Sequence, residues 1–158
     1  MSLIDQTYFF NEFSIAQKSH APVAEKLQYY IDTYEPEYIE KALGEDFAAL
    51  FNATPLDPRF DDLQDILTKK PSPIAGYVFF NYQRDLGIMA TGAGDARSKN
   101  ENSDRAPEVY RMVRAWNLMS KLTRKVRKYL CDNKVIFPEF KIDETDCFLT
   151  DRINEFGL

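Results

Sequence analysis

The segment from about Pro107 to Asp132 constrains the fold more than any other part of the chain. At 100° per residue its apolar and basic side chains fall on opposite faces, which predicts an amphipathic helix. Such a helix spans about 39 Å, so its apolar face needs extended partners that bury it. The apolar face comprises Val109, Met112, Trp116, Met119, Leu122, Val126 and Leu130. The basic face comprises Arg111, Arg114, Lys121, Lys125 and Lys128.

The best partner for that apolar face is the stretch SPIAGYVFFNYQRDLG, which begins at Ser72 and is apolar on nearly all sides. A helix that is apolar all round usually lies at the centre of a protein. Ser72 fits the N-cap position, and Pro73 fits the first turn, where its missing N–H would be unpaired anyway. We therefore expect a buried helix over 73–86, with Trp116 packed against it.

Proline and glycine divide the N-terminal half into shorter helices. Apolar spacing predicts helices that start at Pro22, Pro36 and Pro58, with Gly44 closing the second, and a further helical stretch at 45–52. TYFFNEF, at 7–13, fits a short strand or an extended arm, and the acidic tail is expected to pack loosely. The prediction is one mainly α domain, a helical bundle with an N-terminal arm at 1–20, a helical core at 21–132 and a tail at 133–158.

A polar stretch, TGAGDARSKNENSDRAP at 91–107, lies immediately before the long helix. LGIMAT, on its N-terminal side, has strand-like side chains, and DARSKNE after the glycines could pair back on it as a small β-hairpin. A loop of this length in a compact domain is more often functional or disordered than an ordered connection without a function. Two interpretations stand for residues 88–104: an arm presented to a partner, or a mobile surface loop. The assembly arm would use Gly92, Gly94, Arg97, Lys99 and Glu101.

The sequence lacks a recognisable catalytic or metal-binding constellation. A dinucleotide-binding loop would need a third glycine where Arg97 stands, and a P-loop would need a glycine before Lys99. The only histidine, His20, precedes a helix, where a surface or capping role fits best. The two distant cysteines, Cys131 and Cys147, do not make a zinc site, and DETDCFLTD lacks the glycine of a calcium-binding loop. We expect no enzyme activity, cofactor or metal.

Charge is segregated along the chain, although the net charge is only -5. Residues 1–68 carry net -9, residues 69–134 net +8 and residues 135–158 net -4. This asymmetry suits self-complementary packing or a polyanion, but the segments could also neutralise each other within one fold. The basic face is accordingly a solvated surface, an interface with an acidic subunit, or a DNA-binding surface. A pI near 5.0 is unusual for a dedicated DNA-binding domain.

The cellular location is predicted from cysteine usage and from the apolar runs. Two cysteines cannot build a disulfide framework, which favours a reducing compartment. The start MSLIDQTYFF lacks the basic head and long apolar run of a secretory signal. No apolar run approaches the roughly 20 residues that span a bilayer. These features favour a soluble, intracellular protein.

Six stretches of the chain, in order, resemble a group of uncharacterised phage- and prophage-encoded proteins from Bacteroidetes, which look like head-tail connector (head completion) proteins. The stretches are SLIDQTYFFNEFSI, YIDTYEPEYIEKALG, SPIAGYVFFNYQRD, TGAGDARSKNEN, VRAWNLMSKL and RINEFGL. The resemblance implies a helical connector-like domain that assembles as a homo-oligomeric ring beneath the portal and contacts portal or tail proteins. It also implies a location in the bacterial host cytoplasm during assembly, and then in the virion.

The patterns and the resemblance together favour a structural adaptor of a phage or prophage particle. The alternative is an intracellular helical module that binds DNA or regulates, using the basic face of the helix at 107–132. In both cases the exposed charges, rather than a catalytic centre, carry the expected function.

Overall fold

The computed structural model describes residues 2–53, 57–86, 89–91, 94–96 and 106–154. The helices are α1 (Ala21–Leu43), α2 (Glu45–Phe51), α3 (Asp61–Thr68), α4 (Pro73–Leu86) and α5 (Ala106–Asp132). The strands β1 (Met89–Thr91) and β2 (Gly94–Ala96) pair antiparallel. Short 3-10 helices lie at Gln6–Tyr8, Asn11–Phe13, Pro58–Phe60, Ile142–Glu144 and Cys147–Thr150. The predicted mainly helical fold is confirmed. No helix in the described ranges is long and apolar enough to cross a membrane.

α4 lies at the centre of the molecule, between α1 and α5. It buries side chains on all sides, including Ile74, Val78 and Phe79, because its sequence offers almost no polar face. The Ser72 hydroxyl caps its start by accepting the N–H of Ala75 at 3.4 Å. The prediction of a buried helix over 73–86 is confirmed.

α4 and α5 approach each other closely at Gly76. A Cβ atom at this position would lie 2.7 Å from Met119 Cβ and 2.9 Å from Phe13 Cζ, so only glycine fits without a shift. Elsewhere along the same contact, Trp116 is 2% exposed and its ring centroid lies 4.7 Å from that of Phe80. The predicted packing of Trp116 against α4 is therefore confirmed.

α1 is one continuous helix: the predicted helix start at Pro22 is confirmed, but the predicted start of a second helix at Pro36 was wrong. Pro36 lies inside α1, where proline removes one backbone hydrogen bond. Both sides of Pro36 are nevertheless anchored in the core, through the buried residues Tyr30, Ile31, Tyr38 and Ile39. This burial outweighs the local signal for a break. The helix ends at Gly44, which has φ +86° and is the predicted terminator.

The segment TYFFNEF forms 3-10 turns, so the prediction of a strand or extended arm there was wrong. Phe9 and Phe13 are each 1% exposed and belong to the core, as does Ile4. Ile4 and Phe9 are separated by an odd number of positions, so a regular strand would point them to opposite faces. Turns let the chain bury both.

The described part of the tail is anchored to the core and is not loosely packed as predicted. Phe137 is fully buried, and its ring stacks on that of Phe60 with 5.7 Å between centroids. The backbone of Asp146 ties the tail to two helices: its N–H donates to the Lys41 carbonyl at 2.8 Å, and its carbonyl accepts from Arg127 at 2.6 Å. The tail thus joins α1 to α5.

Candidate assembly surface

The second half of α5 carries a group of exposed cations. Lys121, Lys125 and Lys128, which the sequence predicted for the basic face, are exposed, and so is Arg124. These four residues, here named the cation cluster, occupy about 10 Å of helix. Lys128 pairs with Asp132 at 2.7 Å, whereas the other three form no ion pair with any residue in the described ranges. The cluster therefore presents unbalanced positive charge.

The other two predicted members of the basic face contact the N-terminal segment. Arg111 is half-buried: its guanidinium donates to the carbonyl of Ser14 and lies 5.2 Å from the ring centroid of Phe79. Arg114 is exposed and forms an ion pair with Glu12. The reason is that the first half of α5 packs beside Asn11–Phe13, which brings a carbonyl and a carboxylate within reach. The sequence placed Arg111 on a basic face with the exposed cations, and the structure corrects this, because Arg111 is half-buried against the N-terminal segment.

The assembly arm predicted from the sequence falls only partly within the described residues. Gly94 begins β2 and lies opposite Thr91 of β1. Gly92, Arg97, Lys99 and Glu101 lie outside the described residues. The role of these residues in assembly stays a prediction.

Ion pairs between described residues leave the segregated charges of this part of the chain largely unbalanced. Seven ion pairs join residues of the described part. Only the pair between Arg114 and Glu12 connects the basic segment 69–134 to the acidic segment 1–68. Most of the others lie within one segment, such as Lys41 with Glu37. Close pairing within this part of the molecule therefore does not neutralise the two segments.

α3 presents negative charge to solvent. Asp61, Asp62 and Asp65 are exposed and form no ion pair with a described residue. These three residues are here named the acidic cluster. The helix faces the core with Leu63 and Leu67, which are fully buried and fix its orientation. The molecule thus carries two exposed clusters of opposite sign on two different helices.

Arg127 is a buried charge that the sequence analysis missed. It is 6% exposed and donates to the carbonyl of Asp146 at 2.6 Å and to Thr150 Oγ1 at 3.5 Å. Burial lowers the pKa of its guanidinium from the ordinary value. The sequence did contain a signal for this burial: Arg127 lies about three helical turns after Trp116, which places it on the buried side of α5. Arg127 holds the tail and is separate from the cation cluster.

Glu35 is a second buried charge that the sequence analysis missed. It is 7% exposed, and its carboxylate accepts from Ser2 Oγ at 2.9 Å and from the N–H groups of Leu3 and Ile4 at 2.8 and 3.1 Å. Burial raises the pKa of this carboxyl, although these hydrogen bonds oppose the shift. No sequence pattern identifies Glu35, because its partners, two backbone N–H groups and a serine hydroxyl, are distant in the chain.

The residues considered for catalysis or metal binding lie apart. His20 is exposed at the N-cap of α1, and its side chain makes no capping hydrogen bond. Cys131 is half-buried and Cys147 is exposed, both as free thiols. Within the ranges that the structure describes, no group of three or more histidine, cysteine or acidic side chains could hold a metal ion.

Comparison with known proteins gives no significant match to a protein-family model, to a characterised protein or to a solved structure. The resemblance to head-tail connector proteins thus stays a prediction from the six sequence stretches.

Proposed function

We propose that the protein is a structural adaptor of a phage or prophage particle, namely a head-tail connector (head completion) subunit that forms a ring. The observation that carries the proposal is the unbalanced surface charge. A single close ion pair between described residues joins the acidic and basic segments, while the cation cluster and the acidic cluster face solvent. Exposed charges of opposite sign attract the matching surfaces of another copy and fix its orientation.

The placement of the two clusters supports a head-to-tail contact. The cation cluster lies on α5 and the acidic cluster on α3, so a contact between them joins different residues of the two subunits. Such heterologous contacts close into a ring when the rotation per subunit divides a full turn, and otherwise form filaments. A ring is also what the resemblance to connector proteins implies. We assign residues 88–104 to an arm that docks on the neighbouring subunit or on a portal or tail protein.

The rigidity of α5 supports this use of its exposed face. Met119, Val126 and Leu130 on the opposite face are fully buried, and α5 packs along α4. Core contacts fix this helix, so its cations keep their spacing. Less conformational entropy is then lost when they are ordered at an interface. A cation cluster on a mobile segment would lack this advantage.

DNA binding is the second candidate, because the same cluster favours it. Four cations within about two turns of one helix can replace counterions along a phosphate backbone. The protein would then be an intracellular DNA-binding or regulatory module. The acidic cluster on α3 favours the adaptor, since it would repel DNA that approached from its side.

Sedimentation velocity at low and high salt tests the proposal. We expect complexes at 50 mM NaCl that dissociate at 500 mM, because exposed charges are screened over about 8–10 Å at physiological ionic strength and less above it. The variant K121E/K125E should remain a monomer. The control K134E/R152E makes the same change in charge at exposed positions outside α5 and should assemble like the wild type.

Two results would overturn the adaptor proposal. One is a monomer at every salt and protein concentration, combined with retention on DNA-cellulose that K121E/K125E abolishes. That result supports the DNA-binding module. The other is an equal loss of complexes in K121E/K125E and in K134E/R152E, which would mean that net charge matters and the position of the cluster does not.

A further inference from the structure

A cleft of about 330 Å³ opens between α1, α4, α5 and the tail. Five aromatic side chains contribute to its walls: Tyr34, Tyr77, Phe80, Trp116 and Phe148. Small-molecule sites typically have volumes of about 300–1,000 Å³ and mainly apolar walls with a few polar groups. No residue of the cation cluster lines the cleft. Its size and lining therefore suit a small ligand, at a place separate from the proposed assembly surface.

The aromatic wall is formed around Trp116. Its ring centroid lies 4.7 Å from that of Phe80 and 5.0 Å from that of Phe148. The indole Nε1 donates to the carbonyl of Asp151 at 3.0 Å, which fixes the ring. Phe148 is 54% exposed, so a large apolar ring is left partly uncovered at the cleft. A planar ring bound beside Phe148 would cover that area and gain an aromatic contact.

Three of the four charged side chains that line the cleft are already paired, and the fourth, Asp146, interacts electrostatically with the Arg127 guanidinium. Lys41 Nζ lies 2.7 Å from Glu37 Oε1, and the Tyr77 hydroxyl donates to the same oxygen at 2.8 Å. Burial alone would raise the pKa of Glu37, but the hydrogen bonds from Lys41 and Tyr77 outweigh it and lower the pKa. Arg84 Nε pairs with Asp85 at 3.2 Å. A bound ion would lose its hydration without an unbalanced partner here, so the cleft favours a neutral ligand.

Asn81 and Arg84 are among the polar groups of the cleft that retain capacity for hydrogen bonds. Asn81 is 3% exposed, and its Nδ2 donates to the Tyr77 carbonyl at 3.0 Å. Because a carbonyl can only accept, this contact identifies which end of the Asn81 amide is the nitrogen. Its Oδ1 accepts from no described residue, and the terminal nitrogens of Arg84 donate to none. Asp146 already accepts the N–H of Phe148 at 2.9 Å. A ligand therefore needs one donor, for Asn81, and one acceptor, for Arg84.

We propose that this cleft binds a small neutral aromatic molecule that carries an amide-type edge. The ring lies against Phe148 and Trp116, the N–H of the edge donates to Asn81 Oδ1, and its carbonyl accepts from Arg84. This site goes beyond the adaptor role and does not depend on it, because the two functions use different residues.

The single tryptophan of the chain gives a direct readout, since Trp116 lines the cleft. We would titrate the full-length protein with benzamide and follow the indole N–H resonance of Trp116 by NMR. Benzoate and benzylammonium carry the same ring with a negative or a positive substituent. We expect a saturable shift with benzamide, with binding of the two ions weaker by about tenfold, because each ion must be desolvated without a partner.

Two variants locate the site without disturbing the core. Phe148→Ala should weaken benzamide binding by about fivefold or more, since it removes an exposed part of the wall. Tyr29→Ala removes a ring that is 65% exposed and does not line the cleft, and it should leave binding unchanged. Absence of a saturable shift, binding of either ion as tight as that of benzamide, or undiminished binding by Phe148→Ala would each overturn the proposal.

Discussion

The buried and exposed faces of α5 differ in whether their side chains have partners within the described part of the subunit. On the buried face, Trp116 and Met119 are at most 2% exposed, and even the charge of Arg127 is tied to the tail by hydrogen bonds. On the exposed face, Lys121 and Lys125 have no ion-pair partner in the described part of the chain. The first face therefore stabilises the single subunit, while the second is left available for another molecule. Substitutions on the two faces should separate stability from association.

Trp116→Ala should give the largest loss of stability, about 3–5 kcal/mol, because it removes a large buried ring between α4 and the tail. The measurement is thermal or urea unfolding followed by circular dichroism. Lys121→Ala, on the exposed face of the same helix, should change the free energy of unfolding by no more than about 0.5 kcal/mol. An unchanged melting curve for Trp116→Ala would contradict a core role for this face.

Arg127→Met should have the next largest effect, a loss of about 1–3 kcal/mol, because the part-buried carbonyl of Asp146 loses a charged donor. Arg124→Met is a matched control, since it makes the same substitution three residues earlier at an exposed position. Urea unfolding of the two variants compares the faces directly. Equal effects would mean that Arg127 does not hold the tail.

Glu35→Gln should have the smallest effect, visible mainly as a change with pH. Burial raises the pKa of Glu35 in the folded protein, so the folded state binds this proton more tightly than the unfolded chain does. Tighter binding of this proton stabilises the folded state. This contribution to the free energy of unfolding is fully present below the ordinary pKa and is lost as pH rises through the raised pKa. We therefore expect the wild type to lose stability relative to Glu35→Gln as pH rises above the ordinary pKa of 4.5.

The measurement for Glu35→Gln is urea unfolding of both proteins at each pH. Glu25→Gln, at an exposed position on the same helix, controls for the loss of one negative charge. If the wild type instead gained stability relative to Glu35→Gln as pH rises, the raised pKa of Glu35 would be contradicted.

Periodicity in the sequence predicted the parts of the fold that depend on local patterns. The burial of α4 and the contact of Trp116 follow from apolar spacing alone. Local signals failed where distant contacts decide the conformation. Pro36 does not break α1 because the residues on both sides are buried. The chain turns at TYFFNEF because Ile4 and Phe9, which a strand would point to opposite faces, must both reach the core.

The candidate surface was predictable only in part for a similar reason. Helical spacing placed Lys121, Lys125 and Lys128 on one face, and the structure leaves all three exposed. Spacing on one helix cannot show what packs beside it, so it missed the contact of Arg111 with the N-terminal segment. Whether exposed charges are balanced also depends on distant elements, which the sequence does not place.

A charge-swap experiment tests most directly whether the cation cluster binds the acidic cluster of another subunit. One variant, K121E/R124E/K125E, gives the cation cluster a net negative charge, and a second, D61K/D65K, gives the acidic cluster a net positive charge. Sedimentation velocity at 50 mM NaCl should find each variant monomeric alone, because like charges then meet at the interface. An equimolar mixture should form complexes, since every contact in it again joins opposite charges. Complexes formed by either variant alone, or a mixture that stays monomeric while the wild type assembles, would contradict the account.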